Sequence, residues 1–161
     1  MRSIHLDEIS GDRWKPIRST LGIRAFGVNA VVGDEGNQLI PEHDETEAGA
    51  GSQRHEELYL VLRGRATFVC SEQTLDAPSG TLVFVEDPAE RRAATAEEDG
   101  TVVLAVGGPV GEPYRVAPWE YWFRVRAARA QGREDDAEAI LAEGLAAYPD
   151  DATLRRLSTR S

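Results

Sequence analysis

Residues 55–68 read HEELYLVLRGRATF, and residues 76–92 read DAPSGTLVFVEDPAERR. In the first stretch, apolar side chains fall on both alternating sets, Tyr59 and Val61 on one and Leu58, Leu60 and Leu62 on the other. That pattern predicts a strand with both faces covered, ended by a tight reversal at Gly64. The second stretch has a turn at Pro78, Ser79 and Gly80, followed by the apolar run 82–85. Working outward, alternation and turn residues predict eight short strands over 24–32, 38–43, 55–63, 65–70, 73–77, 81–86, 91–95 and 101–106. Eight short strands of this kind suit a sandwich or barrel.

Beyond the loop 107–113, the period changes from two to 3.6. Pro118 stands at a first-turn position, followed by Trp119, Trp122, Phe123 and Val125. Gly132 interrupts. A second amphipathic helix over 135–147 carries Ala137, Ile140, Leu141 and Leu145 on its apolar side and stops before Pro149. A short fragment with Leu154 and Leu157 follows. The expected domains are a β-barrel over 1–115 and a helical hairpin over 116–161. The hairpin is expected to pack on the barrel or on a second subunit. The aromatic set of the first helix is expected to form its packing seam.

With 161 residues, of which 41% are hydrophobic and 29% charged, the chain holds one sizeable core and a small appendage. The formal net charge of -10 excludes phosphate backbones and anionic membrane surfaces as main partners. Its acidity lies ahead of Pro118, where 1–117 hold 20 acids and 11 bases against 8 and 7 in 118–161. Cys70 is the only cysteine, which rules out a disulfide framework and thiolate-rich metal sites and fits a reducing cytoplasm. It reads as a small buried hydrophobe.

Chemistry concentrates in one region. Glu42, His43, Asp44, Glu45 and Glu47 are followed by His55, Glu56 and Glu57. Imidazole with carboxylate is a ligand set for Fe, Mn, Ni or Zn. Period-two alternation puts His55, Glu57 and Tyr59 on one face of a strand, and His43 and Glu45 on one face of the preceding strand. The opposing reading is a hydrogen-bonded pair beside a solvated acidic loop.

The two quoted stretches resemble the two sequence blocks of the cupin superfamily. The first block ends in Glu-x6-Gly, reproduced by Glu57 and Gly64, and the second begins Pro-x-Gly, reproduced by Pro78 and Gly80. The resemblance covers roughly 22–107. It implies a mainly β, cupin-type double-stranded β-helix, the jelly-roll barrel, here followed by the C-terminal α-helical hairpin. It also implies small-molecule chemistry or binding inside the barrel, and pairing of barrels as a homodimer. The segment 131–151, QGREDDAEAILAEGLAAYPDD, resembles one tetratricopeptide-type hairpin, which makes the tail a candidate surface for a protein partner.

The departures from the cupin pattern fall on the metal ligands. Glu57 carries over position by position. The two histidines of the first block are replaced by Gly51 and Gln53, or displaced to His43 and Glu45 by an insertion over 47–54 with the composition of a mobile loop. The histidine of the second block is replaced by Arg91 in the plainest alignment.

Two pictures follow. In one, His43, Glu45, His55 and Glu57 hold a divalent metal, with Arg91 receiving a substrate carboxylate and Tyr59 and Phe84 lining the lumen. The barrel is then a metal-assisted enzyme acting on a small polar or carboxylate compound. In the other, no metal binds, Arg91 pairs with Glu57, and the protein is a binding or interaction module.

Overall fold

The computed structural model describes residues 1–46 and 54–158. These form two compact units, one of 1–46 with 54–115 and one of 116–158.

After a 3-10 turn (Leu6–Glu8), the first unit has the two-residue β1 (Trp14–Lys15) and the short α1 (Ile17–Leu21). Then come β2 (Gly27–Gly33), β3 (Gln38–His43), β4 (His55–Arg63), β5 (Arg65–Cys70), β6 (Gln73–Pro78), β7 (Leu82–Val85), β8 (Arg92–Ala96) and β9 (Thr101–Pro109). They make two antiparallel sheets, in the orders β1-β2-β9-β4-β7 and β3-β8-β5-β6. All eight strands expected from alternation are present, and β1 is added at one edge.

The core between the sheets comes from the inward set of each strand. Tyr59 and Val61 of β4 meet Val31, Val83, Val85 and Val103 of their own sheet and Ala66, Phe68, Ala94 and Ala96 of the other. Gly64 lets the chain leave one sheet for the other. Its φ is +74°, and a Cβ there would lie 2.4 Å from Thr101 Oγ1 and 2.9 Å from Thr101 Cα. Thr101 is fully buried, donates its hydroxyl to the Glu98 carbonyl at 2.6 Å and accepts from the Arg65 N–H, so it has nowhere to retreat.

The outer face of the larger sheet corrects one expectation. α1 packs on β2, where Val28 and Ala30 are buried, but Leu58, Leu62, Leu82 and Phe84 are exposed on β4 and β7. Of the second apolar set of β4, Leu58 and Leu62 are therefore open surface and Leu60 is half-buried.

The second unit holds α2 (Pro118–Ala130), α3 (Glu134–Ala147) and α4 (Ala152–Ser158). Pro118 sits in the first turn of α2, where its missing N–H costs nothing. Tyr121, Val125, Ala128, Ala137, Leu141 and Leu154 form a core of their own. Gly144 permits close approach, since a Cβ there would meet Tyr121 Cγ at 2.9 Å. Tyr121, unremarked in the sequence, thus leads the seam together with Val125. Trp122 packs partly against it and Phe123 is exposed. No helix of the described residues is long and apolar enough to cross a membrane.

Candidate metal centre

Two rows of inward positions face each other at one end of the barrel. Across the larger sheet, Val85 of β7, Glu57 of β4, Gly107 of β9 and Gly27 of β2 stand in register. Across the smaller sheet the row is His43 of β3, Arg92 of β8 and Cys70 of β5. The rows meet at Glu57 Oε2, which lies 3.6 Å from His43 Nε2 and 3.5 Å from Arg92 Nε.

Glu45, just past β3, completes the cluster. Its backbone N–H donates to the Pro88 carbonyl at 2.8 Å, which ties it to the loop before β8. Its carboxylate lies 3.5 Å from His43 Nε2 and 3.8 Å from His55 Nδ1. His43, Glu45 and Glu57 each offer a donor atom, all within 4.8 Å of one another. These separations exceed an ordinary N–H···O bond of about 2.7–3.2 Å. They lie at, or a few tenths of an ångström beyond, the roughly 3–3.5 Å expected between atoms that share a first-row cation at about 2.0–2.2 Å.

The surroundings orient the donors as a metal site requires. His43 Nδ1 lies 2.7 Å from the Pro41 carbonyl, a contact that favours a proton on that nitrogen and turns Nε2 toward the carboxylates. Tyr59 donates its hydroxyl to Glu57 Oε2 at 2.5 Å. His55 is mostly buried, its Nε2 has no hydrogen-bond partner, and its ring lies 5.6 Å from that of Tyr114. By residue type and convergence, His43, Glu45 and Glu57 fit a divalent cation, with His55 Nδ1 beside Glu45 at their edge.

The electrostatics follow from this crowding. Glu45 and Glu57 push the His43 imidazole up to about 10 against the opposing effect of burial. Burial alone would raise the Glu57 carboxyl, but His43, Tyr59 and Arg92 outweigh it and hold the group below its ordinary value. Burial and then Glu57 raise the Tyr59 hydroxyl. Burial raises the Cys70 thiol, and its partly covered side chain packs on the core.

The structure brings His43, Glu45, His55, Glu57 and Tyr59 together, and it corrects the other two assignments. Arg91 points outward, bonding Glu42 at 3.0 Å with a further contact to Asp44 at 3.7 Å. Arg92, 1% exposed, takes the inward place beside Glu57, because Arg92, Ala94 and Ala96 are the buried set of β8. Phe84 is 57% exposed, since the buried set of β7 is Val83 and Val85. The insertion with Glu47, Gly49, Gly51, Ser52 and Gln53 lies outside the described residues.

Solved structures carry the same barrel. One is a cupin protein from Bacteroides fragilis, 15% identical, with a TM-score of 0.53 over 73% of this chain and 93% of its own. Another is a Cupin 2 conserved barrel domain protein from Salinispora arenicola, 16% identical, with a TM-score of 0.51 over 68% and 88%. The β unit has the cupin fold. Helices follow this cupin barrel in the chain, and residues 118–160 match the tetratricopeptide repeat family model. A search of the curated proteins finds no match.

Proposed function

We propose that the cupin barrel binds a small polar molecule at a divalent metal, Fe, Mn, Ni or Zn, held by His43, Glu45 and Glu57 with His55 as the further donor. The observation that carries this reading is the convergence of three donor atoms, from two strands and the residue beyond one of them, within 4.8 Å. When bound, such an ion supplies a Lewis acid that polarises or orients a ligand oxygen. The chain's own groups keep the donors in place. The Pro41 carbonyl fixes the ring of His43, and Tyr59 fixes the Glu57 carboxylate.

Arg92 favours a second reading, a metal-free ligand-binding module. Its guanidinium against Glu57 supplies positive charge inside the barrel without an ion. Elemental analysis of protein purified without a histidine tag or chelator separates the two. Near-stoichiometric metal in the parent, lost in His43→Ala, is the expected result. No metal after reconstitution with each of the four ions sinks the metal reading.

The exposed Leu58, Leu62, Leu82 and Phe84 support a homodimer through the outer sheet face. Leu82→Asp is expected to halve the mass measured by light scattering, and an unchanged mass removes that face from the interface. Residues 116–158 remain the candidate surface for a protein partner, through their tetratricopeptide character. Loss of a captured partner on deleting 118–161 is the corresponding test.

A further inference from the structure

One layer deeper than Glu57, the larger sheet places Val83, Tyr59, Ala105 and Asn29 in register. Asn29 belongs to the inward set of β2, two residues before the core residue Val31. It is 7% exposed, and its Oδ1 has no hydrogen-bond partner. A polar acceptor buried this deeply costs free energy unless something donates to it.

Arg92 carries the complementary deficit. Its Nη1 reaches the Pro88 carbonyl at 3.4 Å, but Nε and Nη2 are buried without hydrogen-bond partners. These two nitrogens form one edge of the guanidinium, the edge suited to both oxygens of a carboxylate. Arg65 uses the same edge on the surface, where Nε bonds Asp76 Oδ1 at 2.6 Å and Nη2 bonds Oδ2. Glu57 does not fill this role for Arg92. It comes to 3.5 Å from Nε, beyond hydrogen-bond geometry, through an oxygen already accepting from Tyr59.

On the larger sheet the positions around Asn29 are small, with Gly107 and Gly27 in the Glu57 row and Ala105 between Tyr59 and Asn29. The Tyr114 ring lies over Gly27, where a Cβ would meet its hydroxyl at 3.0 Å. A buried pair of donors and a buried acceptor, each without a partner and set on facing sheets, call for a ligand with a carboxylate and a separate hydrogen-bond donor.

We infer that the barrel interior beside Glu57 is a subsite for a small hydroxycarboxylate, with Arg92 taking the carboxylate and Asn29 Oδ1 accepting a hydrogen bond from the hydroxyl. This deepens the small-molecule reading above and does not depend on the metal. Neither residue is among the donors of the metal cluster.

The test is titration of the full chain, metal-loaded and metal-stripped, with glycolate and lactate, followed by protein NMR shifts. Propionate, which lacks the hydroxyl, and lactamide, which lacks the charge, are the controls. Lactate is expected to bind about tenfold more tightly than propionate, and lactamide not to bind. Arg92→Lys, which keeps a buried cation and hence the fold, is expected to weaken lactate and propionate alike by roughly tenfold or more. Asn29→Ala is expected to bring lactate down to the propionate level and leave propionate unchanged.

Absence of glycolate and lactate binding in the folded parent overturns the inference, as does a lactate preference that survives Asn29→Ala. Metal uptake without lactate binding overturns this subsite and leaves the metal reading standing. Lactate binding in a chain that takes up no metal does the reverse.

Discussion

Glu57→Gln is expected to lower metal affinity by roughly hundredfold or more, and to destabilise the protein as well. Glutamine keeps the shape of the side chain and can still accept from Tyr59, but it removes the charge on which His43 and Arg92 converge. Arg92 is then a buried cation without a counterion, and breaking such a pair from one side costs about 3 kcal/mol, roughly 10 °C in Tm for a unit of this size. The double variant Glu57→Gln with Arg92→Met separates the two effects. Replacing both partners of a buried ion pair by neutral groups is often close to neutral. Thermal stability is therefore expected to recover in the double variant while the metal stays absent by elemental analysis. Stoichiometric metal in Glu57→Gln would remove Glu57 from the ligand set.

The barrel was legible because its evidence is distributed along the chain. Alternation over 55–63 and 65–70 sets both strands to the residue, and Gly64 between them stands where backbone and Thr101 leave no space for a side chain. Glu57 was legible from its place in the Glu-x6-Gly block, and its parity with Tyr59 and Val61, which the structure shows to be core, agrees with that.

Arg92 was lost to a shift of one residue. The plainest alignment of the second block singles out Arg91, one residue from the inward position, and one residue exchanges faces because the side-chain period is two. The turn at Asp87-Pro88 stands ahead of both arginines and does not mark which of them faces inward. Phe84 failed for another reason. Both alternating sets of β7 are apolar, so only the packing of Val83 and Val85 shows which pair is inward. Asn29 sits uncharged within the run GVNAVV, where its parity with Val31 was the one available signal.

Metal uptake is expected to strengthen about tenfold per pH unit from pH 6.5 upward, or roughly hundredfold between pH 6.5 and 8.5 for Ni2+ in a non-coordinating buffer. A metal needs the lone pair of His43 Nε2, whereas Glu45 and Glu57 hold a proton on the ring up to about pH 10. Proton and metal therefore compete for one atom throughout this window. Glu57 adds no such competition, because it is held below its ordinary value and is ionised throughout. Stability of the metal-free protein should move the opposite way. The folded value of His43 is raised above its reference of 6.5, so its contribution is complete below 6.5 and lost as pH climbs through about 10. The metal-stripped Tm should accordingly fall from pH 7 to 9.5, while the loaded protein, in which the ion replaces the proton, should hold its Tm over the same range. His43→Gln should flatten both profiles. An affinity independent of pH in the parent would place the ion on other residues and leave His43 as a proton bridge between two carboxylates.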